Sequence, residues 1–472
     1  MAWRASICDK RGVERLTDDD ARILRLESDV IAGHTLKVVI VDSPDDADPP
    51  TLESVRRRVQ SRLGGLRRAR QRLAPTPLGI ATPAWIDDVS FDIRRHVRLA
   101  SEPVHHTADV VALAGKVMAE RLDHSRPLWC IDYAGPLDDG RIALVIRIHH
   151  CMADGVTALR FLESLLWDDG DRRDPGEPSR WEPAPEPGAA RLLGSGLGSR
   201  GRDLGGAVSS GARAMASPRR WRDTGRGLVE LPGTLRRELW PLGADTPFDR
   251  RIGGDRELAF TSCSLADLKR IEHAAGEHVT INDVVLAMVA GAIRRWLSTH
   301  HEHMETMRVQ IPVSMHHRDE DGDSLGNRDS FLFCDLPISE PDPRARLVAI
   351  NTETRNRKEH HDPDELYSFF HSLSHVRPLY KAVSGFTAGP REFALSVSNV
   401  PGPREPISLL GGNVAELYSA AEPADRHALR ASAISLAGTM GLGFCTDPGA
   451  VPGVADLAGG LDESLEELLA LY

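Results

Sequence analysis

An α/β protein of two domains is what this sequence predicts, on three observations. The chain has 472 residues, beyond the size at which a single hydrophobic core keeps growing, so two domains of about 150–220 residues each are expected. Short apolar runs of buried-strand length, Thr35–Val41 and Ile142–Ile148 among them, alternate with stretches whose apolar residues recur at helical spacing. From residue 168 to residue 251 lysine vanishes while arginine, glycine and proline take over, which marks a connector. The expected division is therefore 1–167, a connector over 168–251, and 252–472.

Taken in order, Thr17 or Asp18 can cap a first helix that has acidic residues in its opening turn and Ala21, Ile23 and Leu24 behind them. Thr35–Val41 reads as a strand, Leu52–Leu66 as an amphipathic helix and Val110–Leu122 as another. Trp129, in Pro127-Leu128-Trp129, reads as a packing residue. Ile142–Ile148 is apolar except for Arg147, and Val156–Trp167 has apolar residues at helical spacing. In the connector, Gly225–Leu242 has the pattern of an amphipathic helix that could rest on a lipid surface or pack on the protein. The second half starts with strand-like Leu258–Cys263 and a helix capped by Ser264. Thr280 or Asn282 then caps an Ala-rich buried helix that Asp283 opens. Strands follow at Val309–Ser314, Phe331–Leu336 and within Ala433–Cys445, a charged helix starts at Pro341, and Leu461–Leu471 closes the chain as a helix.

A net charge of −11 argues against a general nucleic-acid binder, which would carry a basic field. Six cysteines lie scattered without a C-x-x-C, as expected in a reducing cytoplasm. The first residues lack the apolar core of a signal peptide. The longest apolar stretch, Val284–Ile293, is about half a bilayer span, so any membrane contact is expected to be peripheral.

The chemistry is concentrated in Arg147-Ile148-His149-His150-Cys151-Met152-Ala153-Asp154-Gly155. Two imidazoles, a carboxylate and a glycine occupy the junction of a buried strand and a helix, where a rigid scaffold holds groups that a ligand can reach. A histidine there can take a proton from a hydroxyl near neutral pH. Adjacent histidines also occur at 105–106, 300–301, 316–317 and 360–361, so the pair alone is background; the strand before it and the Asp-Gly after it single it out. A metal held by His149 and His150 is not expected, because neighbours on a strand point to opposite sides. Two other patterns are decoys. Gly196–Gly201 satisfies G-x-G-x-x-G without a preceding strand, and Gly322–Gly326 satisfies G-x-S-x-G behind a polar run where a strand is needed.

The spacing H-H-x-x-x-D-G resembles the active-site signature of the CoA-dependent acyltransferase superfamily, which includes chloramphenicol acetyltransferase, carnitine acyltransferases and peptide-synthetase condensation domains. Pro127-Leu128-Trp129, Asn282-Asp283, Leu325-Gly326-Asn327 and Ser398-Asn399-Val400-Pro401-Gly402-Pro403 narrow the resemblance to the bacterial wax ester synthase/diacylglycerol acyltransferase family. Arg328-Asp329-Ser330 stands where that family usually continues with apolar residues, and Gly453 where it often has aspartate.

The resemblance implies two chloramphenicol-acetyltransferase-like α/β halves, each a mixed sheet flanked by helices, with an active-site tunnel between them. It implies an O-acyltransferase that moves a long-chain acyl group from acyl-CoA to diacylglycerol or a long-chain alcohol, directly and with no cofactor. His150 would be the general base, His149 its support, Asp154 the residue that keeps the motif's shape through a charged partner, and Gly155 the residue that permits the turn and the close approach of chain or ligand. Asn282, Asp283, Ser398 and Asn399 would shape the centre or stabilise the oxyanion. The lipid substrates place such a protein in the cytoplasm or peripherally at the inner membrane or lipid droplets. Competing readings are a relative that uses a carrier-bound acyl group or another acceptor, and a non-catalytic lipid-binding relative.

Overall fold

The computed structural model describes residues 13–44, 47–168, 176–177, 181–201, 246–314, 329–359 and 393–472. Fifteen strands among them form three sheets. A small one joins β1 (Glu14–Arg15), β4 (Ala84–Asp87) and β3 (Gln71–Ala74). The first large sheet runs β12 (Ser408–Leu409), β13 (Gly412–Ala421), β2 (His34–Val41), β7 (Ile142–His149), β6 (Trp129–Ala134), β5 (Val97–Leu99). The second runs β10 (Asp329–Pro337), β9 (Thr306–Ser314), β11 (Leu395–Val400), β14 (Leu429–Leu436), β15 (Thr439–Thr446), β8 (Glu257–Ser264). Both are mixed: β5 pairs parallel with β6, and β11 parallel with β9 and β14, while the rest pair antiparallel.

In the first large sheet β2 and β7 are buried along their whole length, which is why both read as apolar runs, interrupted at Lys37 and Arg147, instead of alternating ones. Leu36, Val38, Ile40 and Val145 face Val110, Leu113 and Val117 of a helix over Thr107–Met118. Val39, Val41, Ile146 and Ile148 face the helix Leu52–Arg62, through Val55 and Val59, and the helix Gly155–Leu165, through Phe161 and Leu162. Trp129 is buried there, and its indole N–H donates to Ala69 O at 2.8 Å. In the second sheet Val309, Leu395, Val397 and Leu442 pack against the long helix Ile281–Thr299 and the last helix, Val454–Leu469. Gly453 precedes that last helix at φ +73°, a left-handed conformation that glycine adopts without strain.

The chain crosses between halves in a way the division at residue 252 does not foresee. Ser408–Ala421 follows the strands of the second half, yet β13 pairs with β2 of the first, with Ala421 opposite Thr35 and Ser419 opposite Lys37. Asp168 fastens this crossing. Its carboxylate meets Arg58 at 2.7 Å with both side chains 2% exposed, and it accepts from Leu410 N, Gly411 N and Ser408 Oγ. Residues 189–201 are helical, so the G-x-G-x-x-G stretch lies inside a helix. Gly225–Leu242, the G-x-S-x-G pattern and Leu325-Gly326-Asn327 lie outside the described residues.

Candidate active site

β7 ends at His149, so the two histidines differ by one strand position and point to opposite faces of the sheet. The His149 ring is fully buried. Its Nδ1 accepts from the Cys151 amide at 3.0 Å, and since an amide can only donate there, the ring proton sits on Nε2. Nε2 then donates to Glu27 Oε1 at 2.7 Å. The same carboxylate oxygen meets His124 Nε2 at 2.9 Å. Burial alone would raise the Glu27 carboxyl, but the hydrogen bonds and charges of His124 and His149 outweigh it and bring it down to about 2. The three ligand-type atoms lie within 4.8 Å of one another. A metal on Nε2 would have to displace the proton that Glu27 holds while Nδ1 stayed committed to Cys151, so the cluster reads as a hydrogen-bonded triad.

His150 is held through its backbone, which donates to Gly33 O at 3.0 Å. Its residue keeps part of its surface open. Burial first, then His149 and the positive charges of Lys37 and Arg430, lower its pKa to about 3. The imidazole is therefore neutral at physiological pH, the form that accepts a proton. His34, opposite His149 in the ladder, is buried with neither ring nitrogen partnered among the described residues. Burial, then Arg147, His149, His150 and Arg256, push it well below the usual histidine range.

Asp154 is the N-cap of the helix Gly155–Leu165, accepting from Thr157 N at 2.7 Å. Gly155 is its first residue and does not have a positive φ. Of the turn and the close approach expected of it, the structure shows the close approach: a side chain there would come within 3.0 Å of Val400 Cγ2. Val400 belongs to the Ser398–Pro403 run, so the structure brings that segment against the motif. Ser398 Oγ donates to Ser432 Oγ of β14 at 3.3 Å, and β14 also carries Arg430 two residues earlier. Asn399 alternates to the other face of β11. Gly402 N donates to Ser435 Oγ, and Ala437 N to Pro403 O, tying the turn to the end of β14.

Asn282 and Asp283 open the long helix, with Thr280 as N-cap. Asp283 is fully buried and its oxygens are occupied by Thr280 N and Oγ1, Asn351 Nδ2 and Thr354 Oγ1. Its hydrogen bonds thus join two helices. Asn282, on the same first turn, is half-buried.

Sequence reasoning missed four groups. Glu27 orients His149. Glu422 is buried and accepts from Ala32 N, Gly33 N and Arg256, so it shapes the loop that receives His150. Gly33 sits at φ +75°, where a Cβ would come within 2.6 Å of His149 Nε2. Lys37 is buried in β2. Only Gly33 left a local signal, a glycine directly before an apolar run.

These features can be compared with known proteins. A wax ester synthase/diacylglycerol acyltransferase catalytic-domain model matches residues 16–285, and a WS/DGAT C-terminal domain model matches 325–469. A putative diacylglycerol O-acyltransferase of Mycobacterium tuberculosis is 32% identical, over 97% of each chain. A probable one from the same organism is 29% identical over 97% of this chain and 99% of its own. The structure superposes on the first condensation domain of the calcium-dependent antibiotic synthetase with a TM-score of 0.61 and 17% identity, covering 98% of this chain and 97% of that one. It superposes on the wax ester synthase/diacylglycerol acyltransferase from Marinobacter aquaeolei VT8 with a TM-score of 0.70 and 21% identity, covering 96% and 98%. The architecture is thus the two-half acyltransferase and condensation-domain fold. Within it, the chain belongs to the wax ester synthase/diacylglycerol acyltransferase family, and it is an acyltransferase.

Proposed function

We propose that this protein transfers a long-chain acyl group from acyl-CoA to the hydroxyl of diacylglycerol, and also to long-chain alcohols, with His150 as general base. The observation that carries the reading is the placement of His150 directly after a rigid buried strand, with part of its surface open and Val400 packed beside the same loop at Gly155. Acyl transfer requires a base for the hydroxyl proton, stabilisation of the oxyanion and exclusion of water. His150 takes the acceptor proton as the oxygen adds to the thioester carbonyl, and returns it to the departing thiolate. No acyl-enzyme and no resident cofactor enters this scheme. The thiol groups nearest the motif suit it, since burial first holds Cys151 and Cys130 above the usual thiol range. The relatives' names supply the acceptor class. The substrates meet in a tunnel between the two halves, where the Ser398–Pro403 segment approaches the motif. Among the described residues no helix is long and apolar enough to cross a membrane. The protein reaches its lipid acceptor peripherally, from the cytoplasm, at the inner membrane or a lipid droplet.

The test is transfer from labelled palmitoyl-CoA, with diacylglycerol and hexadecanol offered in parallel, by wild type and His150→Ala. Loss of about 10²–10⁴-fold in kcat in a variant that melts like wild type is the expected result. Transfer that is indifferent to His150 would overturn the role given to it. Transfer to neither lipid would overturn the acceptor class.

A further inference from the structure

Lys37 is a buried cation at this site that the scheme above does not employ. In β2, Thr35, Lys37, Val39 and Val41 share one face, and their partners on β7 are Ile148, Ile146, Leu144 and Ile142. The bond from His150 N to Gly33 O continues that ladder, so His150 lies diagonal to Thr35 on the same face. The Lys37 ammonium donates to Thr35 Oγ1 at 3.0 Å and to Ser419 Oγ at 2.8 Å. Thr35 in turn donates to Ala420 O at 3.3 Å. The charge is thereby drawn along the strand over Thr35, toward His150.

No described carboxylate pairs with it, and an ammonium has three donors, of which hydroxyls take two. The other groups around it are known by element. His150 follows β7, and Arg430 stands on β14. Glu422 lies at the end of β13, engaged by Ala32, Gly33 and Arg256. The helices over this face contribute Val55, Val59, Phe161 and Leu162. A buried charge served only by hydroxyls is costly, and Val39 and Val41 show what fills the neighbouring positions when packing alone is needed.

We propose that Lys37 is a catalytic residue whose ammonium binds the oxyanion formed when the acceptor hydroxyl, deprotonated by His150, adds to the thioester carbonyl. This rests on the role given to His150 above. In that step the acceptor O–H proton goes to His150, a C–O bond forms, and the carbonyl π pair moves onto oxygen beside Lys37. Collapse restores the carbonyl, breaks the C–S bond and sends the proton from His150 to the thiolate. The electrostatics agree with this. Lys37 and Arg430 hold protons off His150 in the resting site, and their field is offset once a negative oxygen lies among them, when the imidazolium must form. Burial lowers Lys37 to about 8, so the charged form is lost as pH rises through that value.

The experiment compares wild type, His150→Ala, Lys37→Met and Lys37→Arg as full chains. Methionine removes a buried charge without opening a cavity, so Lys37→Met is expected to melt no lower than wild type. Its kcat with palmitoyl-CoA should fall about 10²–10³-fold, as for a lost oxyanion donor, with KM little changed. Wild-type kcat should decline above pH about 8. Lys37→Arg should keep more activity than Lys37→Met and lose that decline, because a guanidinium stays charged. A Lys37→Met kcat within about threefold of wild type would overturn the proposal, as would an effect confined to acceptor KM. So would an unaltered alkaline limb in Lys37→Arg. If His150→Ala is inactive while Lys37→Met is active, only the proposal for Lys37 fails. If His150→Ala is active, the reading of the base fails with it.

Discussion

The two histidines of the motif are neighbours in sequence and opposites in setting. On the His149 side of the sheet both ring nitrogens are matched, Nδ1 with an amide and Nε2 with a carboxylate, and that carboxylate is shared with His124. On the His150 side the charges that act on it among the described residues, Lys37 and Arg430, are positive and depress its pKa. A matched group is fixed and inert, whereas an imidazole kept neutral among cations is set to gain a proton when negative charge arrives. On the roles proposed above, the structural and the reactive histidine differ in the groups around them, and changing those groups should separate the two roles.

The largest effect in such a series is expected at Glu27. Its folded pKa of about 2 lies below the ordinary 4.5, so its interactions stabilise the fold above pH 4.5 and are lost as pH falls from 4.5 toward 2. Converted by linkage, the shift corresponds to about 3 kcal/mol at neutral pH as an upper bound. Glu27→Gln should therefore lower Tm at pH 7 and flatten the acid limb of Tm against pH. Activity should fall less than in His150→Ala, because His149 is disordered but not removed. Equal loss of activity in the two variants would mean that the two sides of the sheet are not separable.

Asp154 comes next. As an N-cap its replacement by alanine should cost about 0.5–2 kcal/mol in urea unfolding, with a moderate fall in kcat as the start of the helix frays behind His150. A cost of about 3–5 kcal/mol would instead reveal a buried charge pair at this carboxylate, the role that family resemblance implies. The outcome decides whether the motif's aspartate acts through the helix or through a partner.

What the sequence disclosed of this site is what is local in it. The strand Ile142–Ile148, the helix behind it, the Thr280 and Ser264 caps and the motif itself are patterns of a few residues, and periodicity and capping chemistry reach that far. Glu27 lies 122 positions from His149 and Glu422 lies 390 from Ala32, so nothing in either neighbourhood marks it. Lys37 reads as a polar interruption of a strand until β13 arrives beside it with Ser419. That pairing, and the return of Ser408–Ala421 to the first large sheet, is decided by tertiary packing and by the four contacts Asp168 makes with Arg58, Ser408, Leu410 and Gly411. Gly155 shows the same limit: that a glycine there admits a close approach is legible locally, while the neighbour that makes it, Val400, is named only by the fold.

His124 should give the smallest effect, and its pH dependence makes it the sharpest probe of how the His149 side is layered. It is 42% exposed at the side chain, and its hydrogen bond to Glu27 raises its pKa above the ordinary 6.5. A raised histidine stabilises the fold fully below its unfolded pKa and loses that contribution as pH rises through the folded one. His124→Gln should therefore lower Tm at pH 6, by the equivalent of no more than about 1 kcal/mol, and hardly at all well above neutrality. Added salt should shrink the difference at pH 6, since the pair faces solvent. Glu27→Gln should keep its penalty across the same range, because the bond from His149 Nε2 to Glu27 needs no second proton. A pH-independent loss in His124→Gln as large as that in Glu27→Gln would show that His124 packs as part of the inner structure, its ring edge-on to His149 at 6.1 Å, and that the carboxylate is not the hinge of the triad.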